Sequence, residues 1–189
     1  IFKGVLLAIK EFKNPSIILD IGGGSNELIL AHQKEMFWKE SRPTGMSRVV
    51  NQFQISDPIQ PDEIKILQNY FSKEHKSAFK KCTEIPVQTI IGCSGAFDTI
   101  ADIIDKVNPG EKQRTSQEIS IQQFYEIYNS LIKSTRKQRL KIKGMDMVRV
   151  DLIVPAVILI EQLISETGIK DIFQTDFALR EGVLFDLMR

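Results

Sequence analysis

The first stretch that could carry chemistry is IILDIGGGSNELIL, residues 17–30, in which an apolar run ends at an acid and three glycines follow. Without Cβ atoms, the amides of residues 22–24 can close on the oxygens of an anion such as phosphate. Asp20, at the end of the apolar run, suits a hard cation such as Mg²⁺, which keeps several waters and bridges to substrate phosphate. The pattern therefore indicates a site for phosphate and metal.

Two polar residues follow the glycines. Ser25 can donate a hydroxyl hydrogen bond, and Glu27 could orient a water or share the hydration shell of the metal. The alternative is a hairpin whose glycines only supply the positive φ of a tight turn. Turn chemistry alone needs one or two glycines rather than three, so this segment leaves both interpretations open.

A second glycine-containing turn, GCSG, lies between an apolar run and an amphipathic segment about seventy residues further on. Gly92, Ser94 and Gly95 would lie between a buried strand and a helix there, so that the amides of the first helical turn point outward with the helix dipole behind them. Close packing of strand against helix is the alternative for this turn. A Walker A loop would end in GK[ST], and in a Rossmann turn the glycines lead directly into a helix, whereas the first turn here leads into another strand.

Strands and helices alternate along the chain, which predicts an α/β fold with a mixed sheet flanked by helices. The segment at 108–117 is polar and is predicted as an exposed loop. The hydrophobic periodicity predicts strands at residues 16–21, 27–32, 34–40, 87–92 and 169–174. It predicts helices at residues 1–12, 45–53, 61–82, 95–105, 121–134, 145–168 and 178–188.

Composition excludes several classes of protein. Lysine and arginine number 25 against 24 acids, so bulk charge indicates neither a nucleic-acid nor a membrane partner. No apolar run approaches the roughly 20 residues of a membrane span. Cys82 and Cys93 have no metal-like spacing, and His32 and His75 stand alone. We expect a cytoplasmic protein without disulfides.

The segment at 133–143 carries six basic residues. It could attract a long polyanion, although a solvated helix face is the commoner meaning of such a run.

Three motifs in this order and spacing, DIGGGS, GCSG and ALREG, make the chain resemble the exopolyphosphatase/guanosine pentaphosphate phosphohydrolase (Ppx/GppA) family. The resemblance runs nearly from end to end, through IFKGV, SRPTGMSRV and MVRVDLIVPAVILIE. It implies an actin-like ATPase (ribonuclease H-like) domain. It also implies hydrolysis of terminal phosphates from polyphosphate or guanosine pentaphosphate with Mg²⁺ as cofactor, and it leaves a homodimer open as the assembly.

The resemblance also assigns roles to individual residues. Asp20 would be the Mg²⁺-associated carboxylate and, with Glu27, a catalytic residue. The phosphate-binding residues would be Gly22, Gly23, Gly24 and Ser25 in the first turn and Gly92, Ser94 and Gly95 in the second. Matches to the family's Arg-x-Asp and Arg-Glu-Gly motifs are Arg149, Asp151, Arg180, Glu181 and Gly182. For the two arginines, an ion-pair anchor beside a buried helix is the commoner role.

This sequence departs from the family pattern at Asn26, where Thr is usual, and at Cys93, where Thr or Ala is usual. The family is built from two actin-like halves around a cleft, and residues 1–189 correspond to the second half alone. The chain begins at Ile1 with helical periodicity already established, so we expect it to be part of a larger protein. The expected consequence is a domain that folds but hydrolyses its substrate slowly.

Two functions therefore compete. One is a phosphohydrolase domain, and the other is a non-catalytic polyphosphate- or nucleotide-binding module of the same fold. The presence of Asp20 and Glu27 favours the enzyme. A fragment of a sugar kinase or chaperone ATPase would share the fold but fits the ALREG ending poorly.

Overall fold

A mixed sheet of six strands forms the centre of the computed structural model, which describes residues 1–9, 12 and 14–188. The described strands are β1 (Ser16–Ile21), β2 (Asn26–His32), β3 (Glu35–Arg42), β4 (Thr89–Cys93), β5 (Gln117–Ile119) and β6 (Asp171–Thr175). Their spatial order is β3-β2-β1-β4-β6-β5. β1, β4 and β6 run parallel, whereas β2, β3 and β5 pair antiparallel with their neighbours.

The predicted α/β class and mixed sheet are confirmed, and the first three strands are antiparallel neighbours. The described helices are α1 (Phe2–Ala8), α2 (Met46–Gln52), α3 (Pro61–Glu74), α4 (Lys76–Glu84), α5 (Gly95–Asp105), α6 (Ile121–Lys133), α7 (Arg136–Arg139), α8 (Ile153–Thr167) and α9 (Leu179–Leu187). The first predicted helix ends at Ala8, and part of its predicted extension to residue 12 lies outside the described residues.

Alternation along β1 divides the core between the two faces of the sheet. Ile17 and Leu19 point into the larger core, which is built around α8, a helix buried over most of its length. Ile18 points into the smaller core beneath α1 and α9. Because side chains alternate along a strand, Asp20 shares the α1–α9 face with Ile18.

Two predicted helices differ from the structure. The long helix was predicted from residue 145 but α8 begins at Ile153, because residues 147–152 form turns instead. One helix was predicted through His75, where the chain instead breaks into α3 and α4. The predicted polar loop is observed up to residue 116, and the sequence missed the short edge strand β5 that follows it and pairs with β6.

Within the described part of the chain, no helix is long and apolar enough to cross a membrane.

Candidate functional site

The glycine turn after β1 is held from behind by helix α2. The amides of Met46 and Ser47 donate to the carbonyl oxygens of Gly22 and Gly23 at 2.9 and 3.0 Å. Gly22 in turn donates its amide to the carbonyl oxygen of Ser25 at 2.9 Å, which closes the turn. These bonds fix the carbonyl side of the turn on α2, and the glycines leave its backbone open to the close approach of an anion.

This close approach depends on Gly45, the residue before α2. A Cβ at this position would lie 2.4 Å from the amide nitrogen of Ser25 and 2.5 Å from the carbonyl of Gly23. Backbone atoms cannot move aside as a flexible side chain can, so only glycine fits here. Sequence reasoning did not include Gly45 in the site, although a glycine at the first position of the predicted helix 45–53 was the available signal.

The second turn connects β4 to α5. Ser94 has a φ of 65° and Gly95 a φ of 42°. A positive φ is energetically unfavourable for a residue that carries a side chain, so the backbone at Ser94 is strained. Ser94 makes no side-chain cap to α5, so the first amides of this eleven-residue helix lack the partner that a capping side chain would supply. The N-terminus of α5 is therefore suited to an anion.

Both turns open into one cavity of about 260 Å³. Asp20 and the two glycine turns therefore meet at one concavity. The predicted site residues that line the cavity are Asp20, Gly22, Gly23, Ser94, Gly95 and Arg149. The remaining lining residues are Ile21, Met46, Ala96, Leu152, Ile153 and Ala156, which make the floor apolar.

Asp20 is a carboxylate in a place that disfavours its charge. Burial is the main reason why the pKa of Asp20 is raised to about 6. A side-chain hydrogen bond from Ser94 acts in the opposite direction and lowers this pKa. The charges of Glu27 and Asp98 raise it further. Sequence reasoning missed Asp98, whose own pKa is raised mainly by burial. An acid in the first turn of α5 was the available signal. These carboxylates together form a local excess of negative charge that a bound cation would relieve.

Glu27 lies outside the lining of this cavity, on the groove of about 630 Å³ between the β2–β3 hairpin and helices α1 and α9. Two hydroxyls hold it, because Ser25 and Ser41 donate to its Oε1 at 2.6 and 2.8 Å. The hydroxyl hydrogen of Ser25 is therefore engaged by Glu27 rather than directed at a phosphate. Its predicted role as a phosphate donor thus stays a prediction.

Gly92 and Gly24 are also absent from the cavity lining. A Cβ at Gly92 would lie 2.1 Å from the ring of Phe97, which is fully buried. Gly92 therefore makes room for Phe97, and this packing is the alternative that the sequence left open for the second turn.

The Arg-x-Asp pair is divided between two places. Arg149 reaches the cavity, where its Nη1 donates to the carbonyl oxygen of Gly95 at 3.3 Å and lies 3.4 Å from Asp146. Asp151 instead forms an exposed ion pair with Arg136 at 2.8 Å.

The Arg-Glu-Gly motif has local roles. Arg180 is mostly exposed and pairs with Glu181 at 2.8 Å. Glu181 also accepts from the amide of Ala178 and so caps α9. Gly182 allows α9 to approach α1, since a Cβ there would lie 2.9 Å from the amide nitrogen of Gly4.

The basic segment is partly built into the fold. Arg139 is buried, bonds the carbonyl oxygens of Val150 and Ser134, and lies 3.1 Å from Asp57. Arg136 is engaged by Asp151. Two of its six cations therefore act as structural anchors.

The cavity fits a hard cation that needs few protein ligands. Among the described residues, no group of three or more His, Cys, Asp or Glu side chains could hold a metal. Mg²⁺ does not need one, because it binds through one or two carboxylates, several waters and the phosphates of a substrate. Asp20 supplies such a carboxylate, and a cation bound beside it would offset the burial and the neighbouring negative charge that raise its pKa.

Comparison with known proteins gives a consistent result. The family model described as the Ppx/GppA phosphatase family matches residues 1–189. An exopolyphosphatase structure from Cytophaga hutchinsonii superposes with a TM-score of 0.91 at 33% identity, covering 100% of this chain and 61% of that one. The Aquifex aeolicus PPX-GPPA enzyme superposes with a TM-score of 0.85 at 22% identity, covering 98% and 60%. Exopolyphosphatase 2 of Mycobacterium tuberculosis is 22% identical over 191 residues, covering 98% of this chain and 60% of its own length.

These solved structures also confirm the predicted actin-like ATPase fold. The chain spans about three fifths of the length of these relatives.

Proposed function

The chain belongs to the Ppx/GppA phosphatase family, and from this we propose that it is a phosphohydrolase domain that removes terminal phosphate from inorganic polyphosphate with Mg²⁺ as cofactor. The observation that carries the proposal is the single cavity shared by Asp20 and both glycine turns. Polyphosphate is proposed as the substrate because similar proteins are named exopolyphosphatases.

The reaction would be attack of water on the terminal phosphorus, with cleavage of the bond to the bridging oxygen and release of orthophosphate. Most catalysis of phosphoryl transfer comes from positioning and from neutralising charge on the phosphoryl oxygens. The first turn, the N-terminus of α5 and Arg149 line the cavity. The backbone amides left free by the turn and by the helix, together with the guanidinium, would supply these donors. Each is fixed by backbone structure or by a hydrogen bond before substrate arrives.

Asp20 would hold Mg²⁺ through water or directly, and the ion would neutralise phosphate charge. Glu27 lies on the same face of the sheet as Asp20, and the hydroxyls of Ser25 and Ser41 hold its carboxylate. There it would orient a water beside the hydration shell of the Mg²⁺. Gly24 and Ser25 complete the first turn and would bind the phosphate chain through their backbone.

Guanosine pentaphosphate is the second candidate substrate, because both substrates end in the same phosphoryl group and the family name includes both. The second candidate function is a binding module without turnover, which Glu27's position outside the cavity lining favours. Cytoplasmic location and a homodimer stay predictions.

The test is phosphate release from polyphosphate and from guanosine pentaphosphate by the protein as it occurs in the cell, with every residue that accompanies these 189. We expect release to require Mg²⁺ and Asp20→Asn to reduce it by at least about 10²-fold. Asp62→Asn is the matched control, since Asp62 is an exposed acid in α3 away from the cavity.

Equal rates for wild type and Asp20→Asn, with and without Mg²⁺, would remove the enzymatic function. Binding of Mg²⁺–tripolyphosphate without turnover would leave the binding module.

A further inference from the structure

Three polar side chains from separate parts of the chain meet in the core behind the glycine turn. Asn26 begins β2, Thr44 precedes α2, and His75 separates α3 from α4. Their exposed fractions are 0%, 1% and 0%. Burying polar groups in this way is costly unless they bond one another, so their arrangement is specific.

The hydrogen bonds join the three side chains through Thr44. Asn26 Nδ2 donates to the carbonyl oxygen and to Oγ1 of Thr44, at 2.9 and 3.1 Å. Oγ1 of Thr44 lies 3.0 Å from Nε2 of His75. A hydroxyl both donates and accepts, so this contact is a hydrogen bond in either tautomer of a neutral imidazole. Burial lowers the pKa of His75 to about 4, which agrees with a neutral ring.

The network is attached to the glycine turn at both ends. Asn26 follows Ser25 directly and pairs with Ile21 across the turn. Thr44 precedes Gly45, which packs against the backbone of Gly23, and α2 then bonds the carbonyls of the turn. Moving Thr44 would therefore move the N-terminus of α2 relative to the turn.

We propose that Thr44, held by Asn26 and His75, is a positioning residue that fixes the backbone of the glycine turn at the edge of the cavity. The unusual Asn26 has a physical reason in this arrangement, because its longer amide side chain reaches Thr44 while its backbone continues the turn. The proposal rests on the proposed function in one respect, namely that phosphate is the ligand of the turn.

The experiment compares Thr44→Val with Thr44→Ser in the protein as it occurs in the cell, with every residue that accompanies these 189. Valine has nearly the same shape but lacks the hydroxyl, whereas serine restores the hydroxyl. Amide hydrogen exchange is read at Gly22 and Met46, whose N–H groups bond Ser25 and the turn. We expect Thr44→Val to speed exchange at both by about tenfold relative to the core strand β1, and Thr44→Ser to restore slow exchange.

Thr175→Val is the matched control, because Thr175 is fully buried and donates its hydroxyl to the carbonyl oxygen of Thr115, away from the turn. In Thr175→Val we expect the amide exchange rates of Gly22 and Met46, each taken relative to strand β1, to equal those of wild type. If Thr44→Val does not fold, Asn26→Thr is compared with wild type instead, because a threonine side chain lacks the amide that bonds Thr44.

The second readout is affinity for Mg²⁺–tripolyphosphate, measured by titration. We expect the dissociation constant to rise about tenfold in Thr44→Val and to be unchanged in Thr175→Val, since small displacements of a binding group are costly. Unchanged exchange at the turn in both Thr44→Val and Asn26→Thr would overturn the proposal. If wild type does not bind tripolyphosphate, the proposed function fails, and exchange still decides the role of Thr44.

Discussion

Asp20 and Glu27 lie directly opposite each other in the antiparallel register of β1 and β2. Directly opposed residues of neighbouring strands project from the same face of a sheet, so two carboxylates share one small region at the end of β1. Asp20 faces the cavity of the two turns, whereas Glu27 faces the groove beside α1 and α9. This pair connects the candidate phosphate site to the surface next to it.

Glu27→Gln should lower the pKa of Asp20. The pKa of Asp20 stands at about 6 mainly through burial, and the negative charge of Glu27 adds to that rise. Glutamine removes the charge while its carbonyl oxygen can still accept from the serine hydroxyls, so the carboxylate of Asp20 ionises at lower pH. The measurement is an NMR titration of the Asp20 side-chain carbon without divalent cations.

Asp98→Asn serves as a comparison, because the charge of Asp98 acts in the same direction and ranks below that of Glu27 among the causes. A pKa of Asp20 that stays in place or rises in Glu27→Gln would contradict the assigned repulsion.

Arg149→Met should weaken binding of Mg²⁺–tripolyphosphate by about tenfold or more, since a hydrogen bond to a charged group contributes about 1.5–3 kcal/mol. Methionine keeps much of the side-chain length without the charge. Arg136→Met is the control, because Arg136 also pairs with an aspartate but lines no part of this cavity. Equal affinities of the two variants would show that Arg149 is only an ion-pair anchor.

Gly92→Ala should destabilise the protein by about 1–3 kcal/mol, the usual range for an overpacked core. The added Cβ would lie 2.1 Å from the ring of Phe97, which is enclosed on all sides. Gly24→Ala is the control, because a Cβ there meets nothing within 4 Å, and we expect a change within about 0.5 kcal/mol. Urea denaturation measures both. Equal stabilities would mean that Phe97 can move aside.

The features that sequence predicted best are those with local causes. The apolar run before Asp20 and the glycines after it determine a strand and a turn, and a period of two sets which β1 residues are buried. The register that brings Glu27 opposite Asp20 follows from the length of that turn. The convergence of Ser94 with Asp20 follows because parallel strands end at the same edge of a sheet.

The features that sequence could not predict depend on distant contacts. Helical periodicity continues through His75, and only the packing of α3 and α4 with its bond to Thr44 explains a break there. Gly92 was assigned to phosphate because nothing local reveals the ring of Phe97 above it. The engagement of Ser25 by Glu27 requires the side-chain geometry of the turn.

Stability should fall between about pH 6.5 and pH 4 because of His75. Burial lowers the pKa of His75 from 6.5 to about 4, while Glu40 raises it and Arg42 lowers it by smaller amounts. In this window the unfolded chain binds a proton at His75 and the folded chain does not. Unfolding therefore takes up a proton, and the free energy of unfolding decreases as pH falls. Across the full window the free energy of unfolding decreases by about 3 kcal/mol, at about 1.36 kcal/mol per pKa unit.

Urea denaturation at several pH values across this window should show that fall in wild type, and His75→Asn should show a fall smaller by about 3 kcal/mol. Above about pH 6.5 the ring is neutral in both states, so this contribution of His75 no longer changes with pH. An NMR titration of the ring gives the folded-state pKa directly. A ring in the folded protein that titrates near its ordinary value of 6.5 would contradict the burial of a neutral His75 against Thr44, and the pH dependence of stability would then have another origin.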